Sequence, residues 1–131
     1  MNSGKVRLGY LHFAFLGEES QWAAEASECA AEQDKFWEYH DLLFARQSGE
    51  NRGTFSKENL KKFAEEMDLD QKQFAECLDS GKYASLVSGQ TSFAQQLGVQ
   101  STPSFIVNDQ PLVGAQPFEA FQKLIEADLN P

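Results

Sequence analysis

The chain has 131 residues, of which 41% are hydrophobic and 11 are Phe, and its formal net charge is −9. This length predicts one domain, residues 1–131, with an apolar core. The negative charge argues against nucleic acid and anionic membrane surfaces as partners, because their phosphate groups attract Lys and Arg. No apolar run in the sequence approaches the length of a membrane span.

The N-terminal segment from Lys5 to Phe15 is predicted to be a buried β-strand. Polar and apolar residues first alternate in it and are followed by an apolar run, and the segment is rich in Val, Tyr and Phe. A short signal peptide is the alternative, but His12 interrupts the apolar run, and Glu18 and Glu19 follow without a small-residue cleavage site. We therefore expect a strand and no export signal in this segment.

A block of helices is predicted after Gly17, because apolar residues recur there at helical spacing. The expected N-caps within the block are Asp34, Ser56 and Asp70, the last with Gln73 as a capping box. The residues expected to face inward are Trp22, Ala26, Cys29 and Ala30; Phe36, His40, Leu43 and Phe44; Leu60, Phe63, Ala64 and Met67; Phe74, Cys77 and Leu78; and Tyr83, Leu86, Val87, Phe93, Ala94 and Leu97.

The C-terminal part is predicted to hold two strands and a helix. Gly98 is the expected C-cap of the preceding helix, and the apolar run Ser104 to Val107 reads as a strand. A turn at residues 108–110 leads to a short partner strand, Leu112-Val113, and Pro117 suits the first turn of a last helix. That helix is expected to bury Phe118, Phe121, Leu124 and Ile125. The order of elements indicates an α/β fold with a helical insertion at about residues 18–98.

A Thr-Pro dipeptide, Thr102-Pro103, stands at the head of the first of these two strands, where a Pro costs no ladder hydrogen bond. The X–Pro bond is the one peptide bond in which the cis form is cheap, although base rates favour an ordinary trans Pro. The dipeptide alone therefore leaves both isomers open.

Taken together, these segments resemble the DsbA-like thioredoxin-fold oxidoreductases. The similarity is carried by LGV-x-STPSFIVND-x-PLVGAQPFEAFQKLI, from Leu97 to Ile125, and by residues 6–13, 22–31, 33–41 and 74–83. It implies a thioredoxin-like fold, a cis bond between Thr102 and Pro103, and a site at these two residues for extended or unfolded polypeptide substrates. It also implies protein disulfide formation or isomerisation without a cofactor. The parent protein would be extracytoplasmic (periplasmic, secreted or membrane-anchored), with a membrane redox partner.

The family's catalytic Cys-x-x-Cys does not occur in this sequence. The resemblance places that motif upstream of the segment Lys5 to Phe13, so we expect a domain truncated at its N-terminus, without its central first strand and catalytic helix. The expected function is a thiol-disulfide oxidoreductase domain with no catalytic residues, inactive as given. A non-catalytic thioredoxin-like module that binds extended polypeptide at the cis-Pro edge is the alternative. A misassigned start codon or a cut chain is a third explanation of the absence.

Loss of a central strand would leave two strands without ladder partners, and buried backbone groups must be paired. The two strands could close up on each other, or the first could sit at an edge and be held by packing. A second copy of the chain could also share strands. We expect the last outcome, a homodimer through exposed strand edges.

Cys29 and Cys77 are the two cysteines of the chain, and each falls late in a predicted helix. Catalytic thiols sit at helix N-termini, where the dipole lowers their pKa, so this pair is not expected to be redox-active. The resemblance implies a structural disulfide instead, because some exported relatives carry a second Cys pair at matching positions. Two buried free thiols are the alternative.

A zinc site would need these cysteines together with His12 and His40. The four side chains are scattered and include none of the close pairs typical of zinc ligands, so no metal is expected. His40 is expected to be a core residue that hydrogen-bonds to the backbone.

Overall fold

The structure is a computed structural model that describes residues 1–131. Its contacts divide the chain into two compact units, the helical unit (His12–Phe93) and the hairpin unit (Met1–Leu11 with Ala94–Pro131). The elements in chain order are α1 (Glu18–Ala31), α2 (Phe36–Arg46), α3 (Lys57–Glu66), α4 (Gln71–Asp79), α5 (Ala84–Gln96), β1 (Ser104–Val107), β2 (Gln110–Val113) and α6 (Phe118–Leu129). No helix combines the length and the apolar character needed to cross a bilayer.

The core of the helical unit is built from α1 to α4. Its fully buried side chains include Tyr39, Leu60, Phe74 and Leu78. Tyr39 brings a polar group into this core, and its hydroxyl donates to the Leu60 carbonyl oxygen at 2.8 Å. Because the ring is buried, the pKa of Tyr39 is raised well above its usual value. The hydroxyl therefore stays neutral, and its hydrogen bond satisfies the one polar atom that Tyr39 buries.

The inward face predicted for α2 was wrong in part. Tyr39 is completely buried, whereas Phe44 is 68% exposed. The predicted start was also wrong, since Asp34 caps nothing in α2. It adopts φ 57° just after α1, and the Lys35 N–H returns to the Ala30 carbonyl at 3.0 Å. Helix α1 is therefore terminated by a residue in the left-handed conformation, and α2 begins only at Phe36.

The caps predicted for α3 and α4 are confirmed. Ser56 Oγ accepts from the Asn59 N–H at 3.3 Å, and Asp70 Oδ1 accepts from the Gln73 N–H at 3.0 Å. The capping box at Asp70 is not closed by Gln73, however. The Asp70 N–H donates instead to Gln33 Oε1 at 2.7 Å, because the end of α1 lies beside the start of α4.

The strand predicted from Lys5 to Phe15 is absent, since residues 5–15 belong to no β-ladder. In the helical unit the extended backbone meets side chains of α5 instead of another strand. The His12 N–H donates to Gln90 Oε1 at 2.8 Å, and the Ala14 N–H donates to Thr91 Oγ1 at 3.0 Å. Alternate amides are thus satisfied without strand pairing.

Replacing Thr91 with Val should loosen this segment, because the isosteric change removes the acceptor of the Ala14 N–H. A lost hydrogen bond of this kind costs about 1–3 kcal/mol, so protection of the Ala14 amide against hydrogen exchange should fall about fivefold or more. Ser92→Ala, an exposed change on the same helix, should leave the protection of Ala14 unchanged. Wild-type protection in the Thr91→Val protein would contradict the contact.

The hairpin unit carries the sheet. Strands β1 and β2 pair antiparallel, from Ser104 opposite Val113 to Val107 opposite Gln110. Helix α6 packs on β1, where the rings of Phe105 and Phe121 meet edge to face with centroids 4.8 Å apart. The strand at 104–107 and the turn after it are confirmed, and Gly98 ends α5 with φ 86°.

The burial predicted for Phe118 was wrong, since this side chain is 73% exposed. Helix α6 has only two strands to pack on, and it packs mainly on β1. Residues on that side of the helix, Phe121, Leu124 and Ile125, are half-buried. A two-stranded sheet is therefore too narrow to cover the first turn of α6 as well.

Candidate functional site

The Thr-Pro loop leads directly into β1. The bond between Thr102 and Pro103 is cis, the isomer that the sequence resemblance implies. The Pro103 carbonyl accepts from the Gly114 N–H at 2.8 Å, and Ser104 Oγ donates to the Ser101 carbonyl oxygen at 2.6 Å. The first hydrogen bond ties the loop to the residue directly after β2, and the second ties the start of β1 back to Ser101.

Thr102 presents free backbone groups at this loop. The residue is exposed, and neither its N–H nor its carbonyl oxygen is paired within residues 1–131. Strand β1 has a partner on one edge only. Because the groups of an antiparallel pair alternate in direction, the backbone of Ser104 and Ile106 also points to the open edge. The outward backbone groups of Thr102, Ser104 and Ile106 together form one row without a strand partner, which we call the unpaired edge.

The side chains beside this edge are apolar. Ile106 is 59% exposed, Val113 is 60% exposed, and both lie on the short sheet. Charge is sparse in the same unit, which carries three Lys or Arg residues and four Asp or Glu residues, whereas the helical unit carries eight and sixteen. The hairpin unit as a whole is therefore close to electrically neutral, and the acidity of the chain belongs to the helical unit.

The two cysteines lie in the helical unit and are joined. The Cys29–Cys77 disulfide has an S–S distance of 2.05 Å and links α1 to α4 across 48 sequence positions. Cys29 is 1% exposed and Cys77 is 5% exposed. The chain holds no free cysteine. In this state no thiol is available to act as a nucleophile, and Thr102 and Pro103 belong to the other unit.

Glu32, beside the disulfide, forms a small hydrogen-bonded cluster. It accepts from Lys82 Nζ and from the Tyr83 hydroxyl, the latter at 2.8 Å. The hydrogen bond from Lys82 first, and then that from Tyr83, holds the pKa of Glu32 below its usual range. The pKa of Tyr83 is raised, first by burial and then by its hydrogen bond to this carboxylate. Glu32 therefore stays ionised at neutral pH.

The histidines do not form a metal site. His12 is buried, and its Nε2 donates to Glu28 Oε1 at 2.7 Å. His40 Nδ1 lies at 3.0 Å from Asp41 Oδ1, a contact with a carboxylate that was not predicted from the sequence. No group of three or more metal-ligating side chains comes together anywhere in residues 1–131.

Two polar residues of α5 that anchor the N-terminal segment were missed from the sequence. Gln90 and Thr91 sit between the buried residues Val87 and Ala94 of that helix. Polar side chains at inward helical positions are a usable signal, because a buried polar group is generally hydrogen-bonded. The pattern could have identified both residues, but not their partners, which lie 78 and 77 positions away.

Comparisons with known proteins found a matching family model and curated relatives. A family model described as thioredoxin matches residues 1–127. The probable disulfide bond formation protein D of Bacillus cereus is 30% identical over 134 residues, which cover 99% of this chain and 61% of that protein. The Na(+)/H(+) antiporter NhaA 3 of Salinispora tropica is 37% identical over 106 residues, which cover 81% of this chain and 16% of the antiporter.

A solved structure shares the fold. The crystal structure of a thioredoxin-like oxidoreductase from Silicibacter pomeroyi DSS-3 matches with a TM-score of 0.77 and 26% sequence identity. The match covers 93% of this chain and 68% of that one. The chain thus spans about two thirds of that structure and about three fifths of the Bacillus cereus protein.

Proposed function

Because the chain belongs to the thioredoxin family, among its DsbA-like thiol-disulfide oxidoreductases, we propose that it serves disulfide exchange by holding extended polypeptide at Thr102 and Pro103. The family resemblance seen in the sequence is confirmed. The fold is thioredoxin-like, in a mostly helical form with a two-stranded sheet.

The unpaired edge is the observation that carries the proposal. Thr102 offers one backbone donor and one acceptor, and β1 continues the row of free groups. An extended polypeptide can add to such an edge as a further strand, through main-chain hydrogen bonds that do not depend on its sequence. The edge thus suits unfolded or extended segments of many proteins.

The surroundings of the edge favour apolar segments of those polypeptides. The exposed side chains of Ile106 and Val113 supply contact area, and the hairpin unit has nearly balanced charge. A bound strand places alternate side chains on one face of the sheet, so apolar residues at every second position would gain most. A second copy of the chain could pair at the same edge, and a homodimer would then compete with bound polypeptide.

Exchange chemistry requires a thiolate, and this chain offers none while Cys29 and Cys77 are joined. We therefore propose that the 131 residues bind polypeptide without turning over disulfides at a rate typical of the family. The alternative function, a non-catalytic polypeptide-binding module, makes the same prediction for this chain. The two proposed functions differ only in whether a catalytic Cys pair acts beside this chain in the whole protein.

The proposed compartment follows from the family and from the disulfide. A buried disulfide in a chain of this size is typical of oxidising compartments, which supports an extracytoplasmic location for the parent protein. A membrane redox partner of the parent protein is a proposal that rests on the family alone.

Binding can be tested with permanently unfolded α-lactalbumin whose cysteines are alkylated to neutral amides. Thr102→Arg places a long charged side chain at the apolar edge and should raise the Kd about tenfold, a loss of about 1.4 kcal/mol. Gln100→Arg adds the same charge at an exposed position of the same unit and should change the Kd less than about twofold. Fluorescence anisotropy of the labelled client gives both values. Equal affinities for the two variants, or no binding by the wild type, would rule out this edge.

Turnover can be tested by insulin reduction with dithiothreitol. The wild-type chain should match the uncatalysed rate within about twofold, because its two cysteines lie late in their helices, where the dipole does not activate a thiol. Cys29→Ala and Cys77→Ala variants should behave identically. Catalysis well above the background rate that disappears in either variant would show that this pair is redox-active.

A further inference from the structure

The Cys29–Cys77 disulfide borders a cavity through Cys77. A cavity of about 320 Å³ in the helical unit is lined by Glu32, Gln73, Glu76, Cys77, Ser80 and Lys82. Cys29 does not line this cavity, and it is 1% exposed in a core that also contains Ala26 and Ala30. The cavity thus lies beside Cys77, which is the more exposed of the two cysteines.

We propose that this cavity is an entry site for small thiols, which attack Sγ of Cys77 and not Sγ of Cys29. Exchange depends on which sulfur an incoming thiolate can reach, so access decides the point of attack. This reactivity is separate from polypeptide binding in the hairpin unit, and it assigns the disulfide a chemical role besides cross-linking.

The step balances as an ordinary thiol-disulfide exchange. The small thiol loses its proton to solvent, and its sulfur forms a bond to Cys77 Sγ as the bond between Cys77 and Cys29 breaks. The electron pair of the broken bond leaves on Cys29 Sγ, which takes a proton. The small thiol is the reductant, its sulfur ends in a mixed disulfide on Cys77, and Cys29 ends as a thiol.

The walls of the cavity select the charge of the thiol. They hold the carboxylates of Glu32 and Glu76 against the single ammonium group of Lys82, which already pairs with Glu32. Glu76 lies at 3.9 Å from Lys72, but both side chains are largely exposed, so this pairing cancels little of its charge inside the cavity. A cationic aminothiol should therefore enter more readily than an anionic mercaptocarboxylate.

The products of attack are expected to revert quickly. Cys29 stays packed in the core beside Cys77, so its sulfur meets the mixed disulfide at a high effective concentration. Cys29 then re-attacks the adjacent mixed disulfide and restores the native bond. The mixed disulfide is thus a transient species, and it must be trapped with an acid quench.

The first test treats the folded wild-type chain with cysteamine, quenches with acid, unfolds, alkylates free thiols and maps the peptides by mass spectrometry. At early times cysteamine should be on Cys77 and the alkyl group on Cys29, in about tenfold excess over the reverse pattern. Equal labelling or the reverse pattern would overturn the proposal. So would a rate of reduction equal to the rate of global unfolding, since attack would then need no cavity.

The second test uses single-cysteine variants and cystamine. Cys29→Ser leaves Cys77, which should react about tenfold faster in the folded state than the Cys29 left by Cys77→Ser. The two rates should converge in urea. If either variant fails to fold, as judged by circular dichroism, the wild-type mapping decides alone. Equal rates in the folded state would contradict the proposal.

Charge selection is tested by the ratio of the rate with cysteamine to the rate with 3-mercaptopropionate. Glu76→Gln should lower this ratio about threefold or more relative to wild type, because a wall carboxylate is removed. Glu65→Gln, an exposed change outside the cavity, should leave the ratio unchanged. Comparing ratios between variants cancels the different intrinsic reactivities of the two thiols. An unchanged ratio in Glu76→Gln would overturn this part of the proposal.

Discussion

Replacing Cys29 and Cys77 together with Ala should lower the free energy of unfolding of the helical unit by about 4 kcal/mol. The bond closes a loop across 48 sequence positions, and the chain-entropy model assigns most of its effect to the unfolded state. Both sulfurs are also removed from a buried core, which adds to the loss. Urea unfolding followed by Trp fluorescence measures the change, because Trp22 and Trp37 both lie in the helical unit.

A reducing agent supplies the matched control for this prediction. Tris(2-carboxyethyl)phosphine should destabilise the wild-type chain by a similar amount and should leave the double Ala variant unchanged. If the double variant unfolded within about 1 kcal/mol of the wild type, the disulfide would contribute little to stability. The helical core alone would then hold α1 against α4.

Phe74→Ala should cost about 3–5 kcal/mol, which is enough to unfold a large fraction of a marginally stable domain. Phe74 is completely buried, and its ring centroid lies 5.5 Å from that of Tyr39. Truncation removes an aromatic ring from a close-packed core and leaves a cavity that the surrounding helices can fill only in part. Thermal and urea unfolding, again followed by Trp fluorescence, measure the loss.

Phe44→Ala is the matched control, because it deletes the same side chain from a neighbouring helix at a position that is 68% exposed. Its expected effect is within about 0.5 kcal/mol. Similar losses in the two variants would mean that the burial pattern of α2 is the one predicted from sequence periodicity, with Phe44 turned inward. The pair of variants therefore tests the orientation of α2 as well as the contribution of Phe74.

Local sequence signals predicted local structure well. Ser56 and Asp70 were identified as N-caps, and Gly98 as a helix end, because each acts within three or four residues of its own position. The strand at Ser104–Val107 followed in the same way from a short apolar run with a turn after it. The predictions that were wrong concern features that depend on partners far away in the chain.

Tyr39 and Gln33 show why. The buried hydroxyl of Tyr39 is paired with the carbonyl of Leu60, 21 positions away, and Gln33 binds the backbone of Asp70, 37 positions away. Periodicity places a residue on a helix face, but it does not say which helix covers that face. The orientation of α2 and the partner of the Asp70 N–H could therefore not be read from the sequence.

By itself the sequence determined the family, through Thr102-Pro103 and its flanking segments, and it identified the starts of α3 and α4 and the end of α5 through two caps and a glycine. Only the tertiary structure decided that residues 5–15 form no strand and that the two cysteines are joined. An extended segment becomes a strand only beside another backbone with free hydrogen-bonding groups, and His12 and Ala14 meet side chains of α5 instead. Likewise, two thiols 48 positions apart can bond only when helix packing brings α1 and α4 together.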